Sequence, residues 1–381
     1  MRPLRTTLNR RRFLKAAAAT GALAAMPGGS WMYGQDNVLN FSNWPFYIDV
    51  DDETGVSPTL ADFEAEFGIR VNYVEEIPDN DEFFAIIAPL LERGEDTGRD
   101  LIVLTDWMAS RLIRRGWVEE LNKANMPNWE NMRADLKSVA FDPGRRFSLV
   151  WQSGFTALGY NKVLVKELTG KDQLTSVNDI FDPGLKGRVT MLTEMRDTLG
   201  LTMLALGLDP QNATLADAQA AVDHLKGFVD SGHIRAFTDN SYADDLAVGN
   251  VVAAYAWSGD VIQLQLDNPD LEFLFPQEGF MQWSDNMMIP LRAQHKANAE
   301  TFMNFYYRPA IQAQVEAYVN YIPPVDHELV KAEIAAIDDS LVGNPLIFPN
   351  AADLAKANVF RPLDDAEEEE FNALFQDLIG V

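Results

Sequence analysis

The sequence predicts an α/β protein made of two α/β units, and three observations lead there. Apolar runs of strand length alternate with amphipathic runs of helix length. The joints between them are short and punctuated by glycine. The alternation occurs twice, before and after an extended apolar stretch at 147–160. Alternation of this kind sets strands parallel in a sheet covered by helices on both faces. The 381 residues, 47% hydrophobic, suffice for one large or two medium domains with cores of their own.

In the first unit, Val38 to Phe41 reads as a buried strand. Ser57-Pro58 opens a helix with Leu60, Phe63 and Phe67 on one face, and Gly68 closes it ahead of an alternating strand, Ile69, Val71, Tyr73. A helix from about Glu82 to Arg93, kinked at Pro89, ends at Gly94. The continuous apolar run Leu101 to Leu104 is a strand buried on both faces, and a third helix follows to Gly116. The second unit reads as strand Val189–Leu192, helix Asp197–Leu206, helix Thr214–Val229, a turn at Gly249-Asn250 and strand Val251–Ala256. The extended stretches 147–160 and 284–290 are expected to cross between the units. The acids from Asp364 to Glu370 form the first turn and wet face of a last helix, whose buried stripe is Phe371, Leu374, Phe375 and Leu378. No internal repeat is visible.

Charge narrows the partners. There are 31 Lys plus Arg against 57 Asp plus Glu, for a net charge of −26. The first 33 residues hold six bases and no acid, so the remainder is more acidic still. Such a field repels nucleic acid and anionic headgroups and gathers small cations, although acidity also serves solubility alone. Cysteine is absent, which excludes disulfides, thiolate metal sites, a cysteine nucleophile and a lipidated cysteine.

The N-terminus reads as an address. Asn9-Arg10-Arg11-Arg12-Phe13-Leu14-Lys15 precedes an alanine-rich, weakly apolar stretch and then Met26-Pro27-Gly28-Gly29-Ser30, which resembles a twin-arginine export signal over 1–33. Ala22-Leu23-Ala24 is one candidate cleavage site. The expected destination is periplasmic or extracellular. No later run approaches the roughly 20 apolar residues that a span needs, so the mature chain is not expected to be membrane-embedded.

Motifs for catalysis are mostly absent. His224, His233, His295 and His327 show no metal-ligand spacing, and there is no GxSxG, Walker A or GxGxxG. Asp49 to Gly55 imitates a calcium loop, but its glycine is one place late and the bidentate glutamate is missing. No metal, cofactor or catalytic residue is expected, although the many acids leave a glycosidase-like carboxylate pair open as a remote alternative. What stands just past the strands is more informative, because open α/β sheets bind ligands at those ends. There the sequence places Trp44 and Tyr47; Thr105, Asp106 and Trp107; Glu194 and Asp197; and Trp257. Indole faces attract alkylammonium groups and carboxylates accept their hydrogens.

These residues carry a resemblance. Asn43-Trp44-Pro45-Phe46-Tyr47, Asp100 to Thr105, Ala254-Tyr255-Ala256-Trp257-Ser258-Gly259-Asp260, Pro276-Gln277-Glu278-Gly279 with Trp283-Ser284-Asp285, and Arg308-Pro309 look like the spermidine/putrescine-binding proteins of bacterial ABC importers. The likeness runs from about Val38 to Arg361. It implies a two-lobed, type II periplasmic-binding-protein-like fold, with 36–155 plus 286–321 in one lobe, 156–285 plus 322–381 in the other, and a hinge between. It further implies a monomer without catalysis that hands a polyamine to an ABC permease. Another organic cation or an amino-acid-like molecule is the alternative ligand. Carried across, the family's aromatic box falls on Trp44, Tyr47, Trp257, Trp283 and Tyr321, with Trp107 as a further aromatic. Its hydroxyl falls on Thr105, and its carboxylates fall on Glu194, Asp197 and Asp285. Arg361 stands near a position that is a neutral amide in the family, so it either turns away, pairs with an acid, or marks a ligand that is shorter or carries a carboxylate.

Overall fold

The computed structural model describes residues 37–51 and 53–380; the expectations for the first 33 residues lie outside them. In chain order the strands are β1 (Val38–Asn43), β2 (Arg70–Glu75), β3 (Leu101–Thr105), β4 (Ser148–Asn161), β5 (Val189–Leu192), β6 (Ile234–Thr238), β7 (Ala253–Trp257), β8 (Leu271–Leu274), β9 (Phe280–Met288) and β10 (Ala357–Asn358). They form one sheet with the path β2-β1-β3-β9-β4-β7-β5-β6, to which β8 adds on β4 and β10 on β9.

Both expected α/β units are present. β1 pairs in parallel with β2 and β3, and β5 with β6 and β7. The helix Pro58–Phe67 begins where Ser57 accepts from the Leu60 amide and ends at Gly68 with φ 64°, a left-handed stop that glycine takes without strain. Three strands escaped the sequence reading: β6 alternates only weakly, β8 is short, with one buried residue, and β10 has only two residues.

The two extended stretches expected to cross between the units fall largely in β4 and β9, the strands that fuse both units into one sheet. β9 runs antiparallel to β3 on one side and β4 on the other, and β4 runs antiparallel to β7. All fourteen residues of β4 are buried, which explains the unbroken apolar run in sequence. Its register against β9 shifts between Val150 and Gln152, an irregularity that lets a long strand bend as it passes from one unit to the other.

Side chains gather into two large cores and a smaller one. The first centres on Phe41, Phe63, Trp151, Phe302 and Tyr306, the second on Met191, Leu199, Leu225, Tyr255 and Phe371. The third packs Phe83, Ile87, Met108 and Leu112 against the other face of β3. The segment 322–348, assigned from sequence to the second lobe, contributes Val325, Val330, Ile334 and Ile347 to the first core. Leu354 and Ala357 still pack against that core, and the chain reaches the second at Phe360, a third crossing along which β10 rests on β9. The handover between the two cores therefore lies later in the chain than the lobe boundary the resemblance implies, in a stretch without apolar periodicity to mark it.

Candidate functional site

A cavity of about 130 Å³ opens between the two units at the carboxyl ends of β1, β3, β5 and β7. It is small beside sites for drug-sized ligands, roughly 300–1,000 Å³, and suits a slim molecule. All ten residues nominated from sequence line it: Trp44, Tyr47, Thr105, Trp107, Glu194, Asp197, Trp257, Trp283, Asp285 and Tyr321. Asp79, Arg196, Asp239 and Asp260 line it too, and the sequence reading did not select them.

The parallel strands β1, β3, β5 and β7 deliver residues to the rim by stopping there, and the antiparallel β9 delivers Trp283 and Asp285 from its middle. Thr105 and Asp285 are direct partners across the β3–β9 ladder, so the Thr105 hydroxyl donates to one carboxylate oxygen at 2.8 Å. The Tyr47 hydroxyl donates to the other, also at 2.8 Å. Both donors are neutral, and among the described residues no Lys, Arg or His pairs with Asp285. Burial therefore dominates and pushes its pKa up to about 7, although the two hydroxyls pull it down. Asp197, held by the Trp257 indole at 2.9 Å, is pushed up to about 6, again chiefly by burial. Glu194 is raised by burial and then by the charge of Asp79.

Three indoles are fixed by their N–H groups, which leaves ring faces for the cavity. Trp44 donates to the Val103 carbonyl at 3.0 Å, Trp257 to Asp197, and Trp283 to Thr156 at 3.0 Å. Tyr321 meets Trp283 and Tyr47 with ring centroids 5.5 and 5.4 Å apart. Two glycines make room for these rings. A Cβ at Gly154 would collide with the Trp283 indole, and one at Gly259 with the Tyr321 ring.

Trp107 stands apart. Its ring is covered by the Arg196 guanidinium, 3.8 Å from the centroid, and Arg196 is in turn bonded to Glu368. Arg361 turns away from the cavity to grip Glu367 at 2.7 and 3.0 Å, so of the possibilities its sequence position raised, pairing with an acid is the one found. Asp260 accepts from Tyr321, Tyr242 and Asn240. Its sequence signal was the acid three places after Trp257, inside a motif already in view.

Other candidates resolve structurally. Asp51 spends a carboxylate oxygen on Thr54, and Asp49 binds Ser57, Thr59 and Gln314. Among the described residues no three His, Cys, Asp or Glu side chains are grouped so as to hold a metal. His295 bonds Asp100 and His233 the Ile180 carbonyl, His224 packs on Phe181 and Phe228, and His327 contacts Arg133. Among the described residues no helix is long and apolar enough to cross a membrane.

The chain is similar to proteins already known. Residues 59–336 match the family described as bacterial extracellular solute-binding protein. The chain is 30% identical over 370 residues to the putrescine-binding periplasmic protein of Escherichia coli K12, spanning 92% of this chain and 93% of that one. It is 26% identical over 351 residues to the spermidine/putrescine-binding periplasmic protein of Salmonella typhimurium, spanning 91% and 93%. A solved structure titled a putative spermidine/putrescine ABC transporter from Listeria monocytogenes superposes with a TM-score of 0.77 at 25% identity, covering 90% of this chain and 98% of that one. Residues 7–27 match the twin-arginine signal, which sends the chain to the periplasm by that route.

Proposed function

We propose, for a chain that belongs to the bacterial extracellular solute-binding protein family, that the cavity captures a polyamine, putrescine or spermidine, and that the loaded protein delivers it to an ABC permease. One observation carries the reading. Asp285 is a buried carboxylate met by hydroxyls and, among the described residues, by no cation, inside walls of indole and phenol faces. A buried anion without a counter-charge is costly, and an ammonium group supplies that charge together with hydrogen-bond donors. Trp44, Trp257 and Trp283 add cation–π attraction of about 0.5–2 kcal/mol each when desolvated.

The remaining roles follow. Asp197 and Glu194 take a second amine, Tyr47 and Thr105 orient Asp285, and Tyr321 closes the aromatic wall. Ligand draws the two units together about β4 and β9, and the protein works as a monomer. No step of this cycle breaks a covalent bond in the ligand. Thermal denaturation of the mature protein against putrescine, spermidine, amino acids and betaines tests the reading, because a ligand of the folded state raises the melting temperature in step with RT ln(1 + [L]/Kd). A rise with both polyamines and none with the zwitterions is expected. A rise with amino acids alone would overturn it.

A further inference from the structure

Away from the hinge strands, the two units meet through a pair of helices. The helix Asp106–Arg114 belongs to the third core, through Met108, Ala109 and Leu112, and the helix Asp365–Ile379 to the second, through Phe371, Phe375 and Leu378. Positions 107, 114 and 115 fall on one stripe of the first helix and its cap, at helical spacing, and 365 and 368 on one stripe of the last. Arg114 and Arg115 both pair with Asp365, at 3.3 and 2.8 Å, and Arg114 also donates to the Leu363 carbonyl at 3.3 Å. Glu368, buried, holds Arg196, and the guanidinium lies over the Trp107 ring of the opposite unit, 3.8 Å from its centroid.

Arg196 is itself an unusual occupant. Among the described residues it is the one basic side chain lining an otherwise acidic cavity, and only 6% of it is exposed. Its guanidinium takes the aromatic face and the carboxylate that a ligand cation would seek. Two buried donors in this contact, Arg196 Nε and Trp107 Nε1, have no hydrogen-bond partner among the described residues. Parting the units would wet both, which offsets part of the attraction and keeps the contact reversible.

We infer that Arg196, pinned by Glu368 and stacked on Trp107, is a positioning residue that docks the two helices across the mouth of the cavity and adds to closure independently of which ligand is bound. The inference rests on the reading of the cavity as a closing ligand site. A contact made equally in every closed state multiplies all affinities by the same factor, whereas a residue that touches ligand changes them unequally.

Calorimetry with putrescine and spermidine on the mature protein tests this in Arg196→Gln, Arg196→Lys and Asp365→Asn. Arg196→Gln should weaken both ligands by the same factor, about tenfold, with their ratio held within twofold. Arg196→Lys keeps the charge but not the planar face and should recover part of the loss. Asp365→Asn, exposed and outside the cavity, should weaken both by about twofold, and it decides the matter if Arg196→Gln folds poorly. A changed ratio, or affinities equal to wild type in all three variants, would overturn the docking role. If the wild-type protein binds neither polyamine, the amine reading falls instead. Small-angle scattering of ligand-free protein then judges the dock alone: a larger radius in Arg196→Gln supports it, and an unchanged radius sinks it.

Discussion

At one end of the cavity Asp285 is buried against Tyr47 and Thr105, neutral donors that orient the carboxylate without neutralising it. At the other end Glu194 and Asp79 sit beside Arg196; burial and the charge of Asp79 raise the Glu194 pKa, and Arg196, which Glu368 holds in place, opposes that rise only in part. Both ends are acidic, but only the second brings its own cation. A carboxylate left without a counter-charge by its own fold is a place prepared for an outside one, and a carboxylate already served is better placed to tune closure and charge balance.

Asp285→Asn breaks this comparison most directly. The change is nearly isosteric and removes the charge, so a bound ammonium group is left unpaired. Losing one partner of a buried pair costs about 3–5 kcal/mol, so polyamine affinity should fall at least a hundredfold by calorimetry. Without ligand the variant should be at least as stable as wild type at pH 8. Burial raises the Asp285 pKa above its unfolded value of 3.8 to about 7, so the native state is stabilised by this group below that unfolded value and loses the advantage as pH rises toward 7. A fall of less than fivefold would make Asp285 an ordinary solvated acid.

The same pKa predicts a pH step. An ammonium group needs the ionised carboxylate, and with a pKa of about 7 most of Asp285 is protonated at pH 6. Affinity measured at pH 8 should drop about tenfold by pH 6, with proton release on binding that grows as pH falls through 7. In Asp285→Asn this step should vanish. A flat profile in wild type would place the cationic head elsewhere.

Glu194→Gln should cost less, about fivefold, because burial and the charge of Asp79 already push Glu194 toward its neutral form, so the variant removes less charge there. A loss as large as that of Asp285→Asn would show that the two ends are equivalent and that the contrast is only one of geometry.

How far the sequence foretold this contrast depends on what each end is made of. The uncompensated end was legible, since Trp44, Tyr47, Thr105 and Asp285 follow strand ends or sit within a motif, and open sheets expose such positions. Arg196 was not, although it stands between Glu194 and Asp197. A basic residue between two acids on a helix reads as a solvated face, and only tertiary packing brings Trp107 over it and Glu368 beneath it. Gly154 and Gly259 were equally silent, because a glycine in a strand or at a helix start shows no sign of the ring lying on it. In the fold, long apolar periods were readable, whereas the fusion of both units through antiparallel β4 and β9 was not, since strand direction leaves no mark in a continuous apolar run.

The smallest expected effect belongs to Arg361, whose sequence position put a guanidinium near the amine site and whose side chain instead grips Glu367 and the Ala213 carbonyl. Arg361→Gln should leave affinity for putrescine and spermidine within twofold of wild type at pH 8, since it removes no group that lines the cavity. Its effect should appear in stability alone and remain slight. The pair is partly exposed, with 24% and 36% of its side chains accessible, and such pairs contribute about 0–1 kcal/mol. The sign can be checked against pH. Arg361 is the largest influence holding Glu367 down at about 2, below its ordinary value of 4.5, so the contribution is present above that ordinary value and is lost as pH falls toward 2. Melting temperatures of the two proteins should therefore differ slightly at pH 7 and converge between pH 4.5 and 2. A tenfold change in polyamine affinity, or a gap that widens in acid, would return Arg361 to the cavity and undo the division of labour between its two ends.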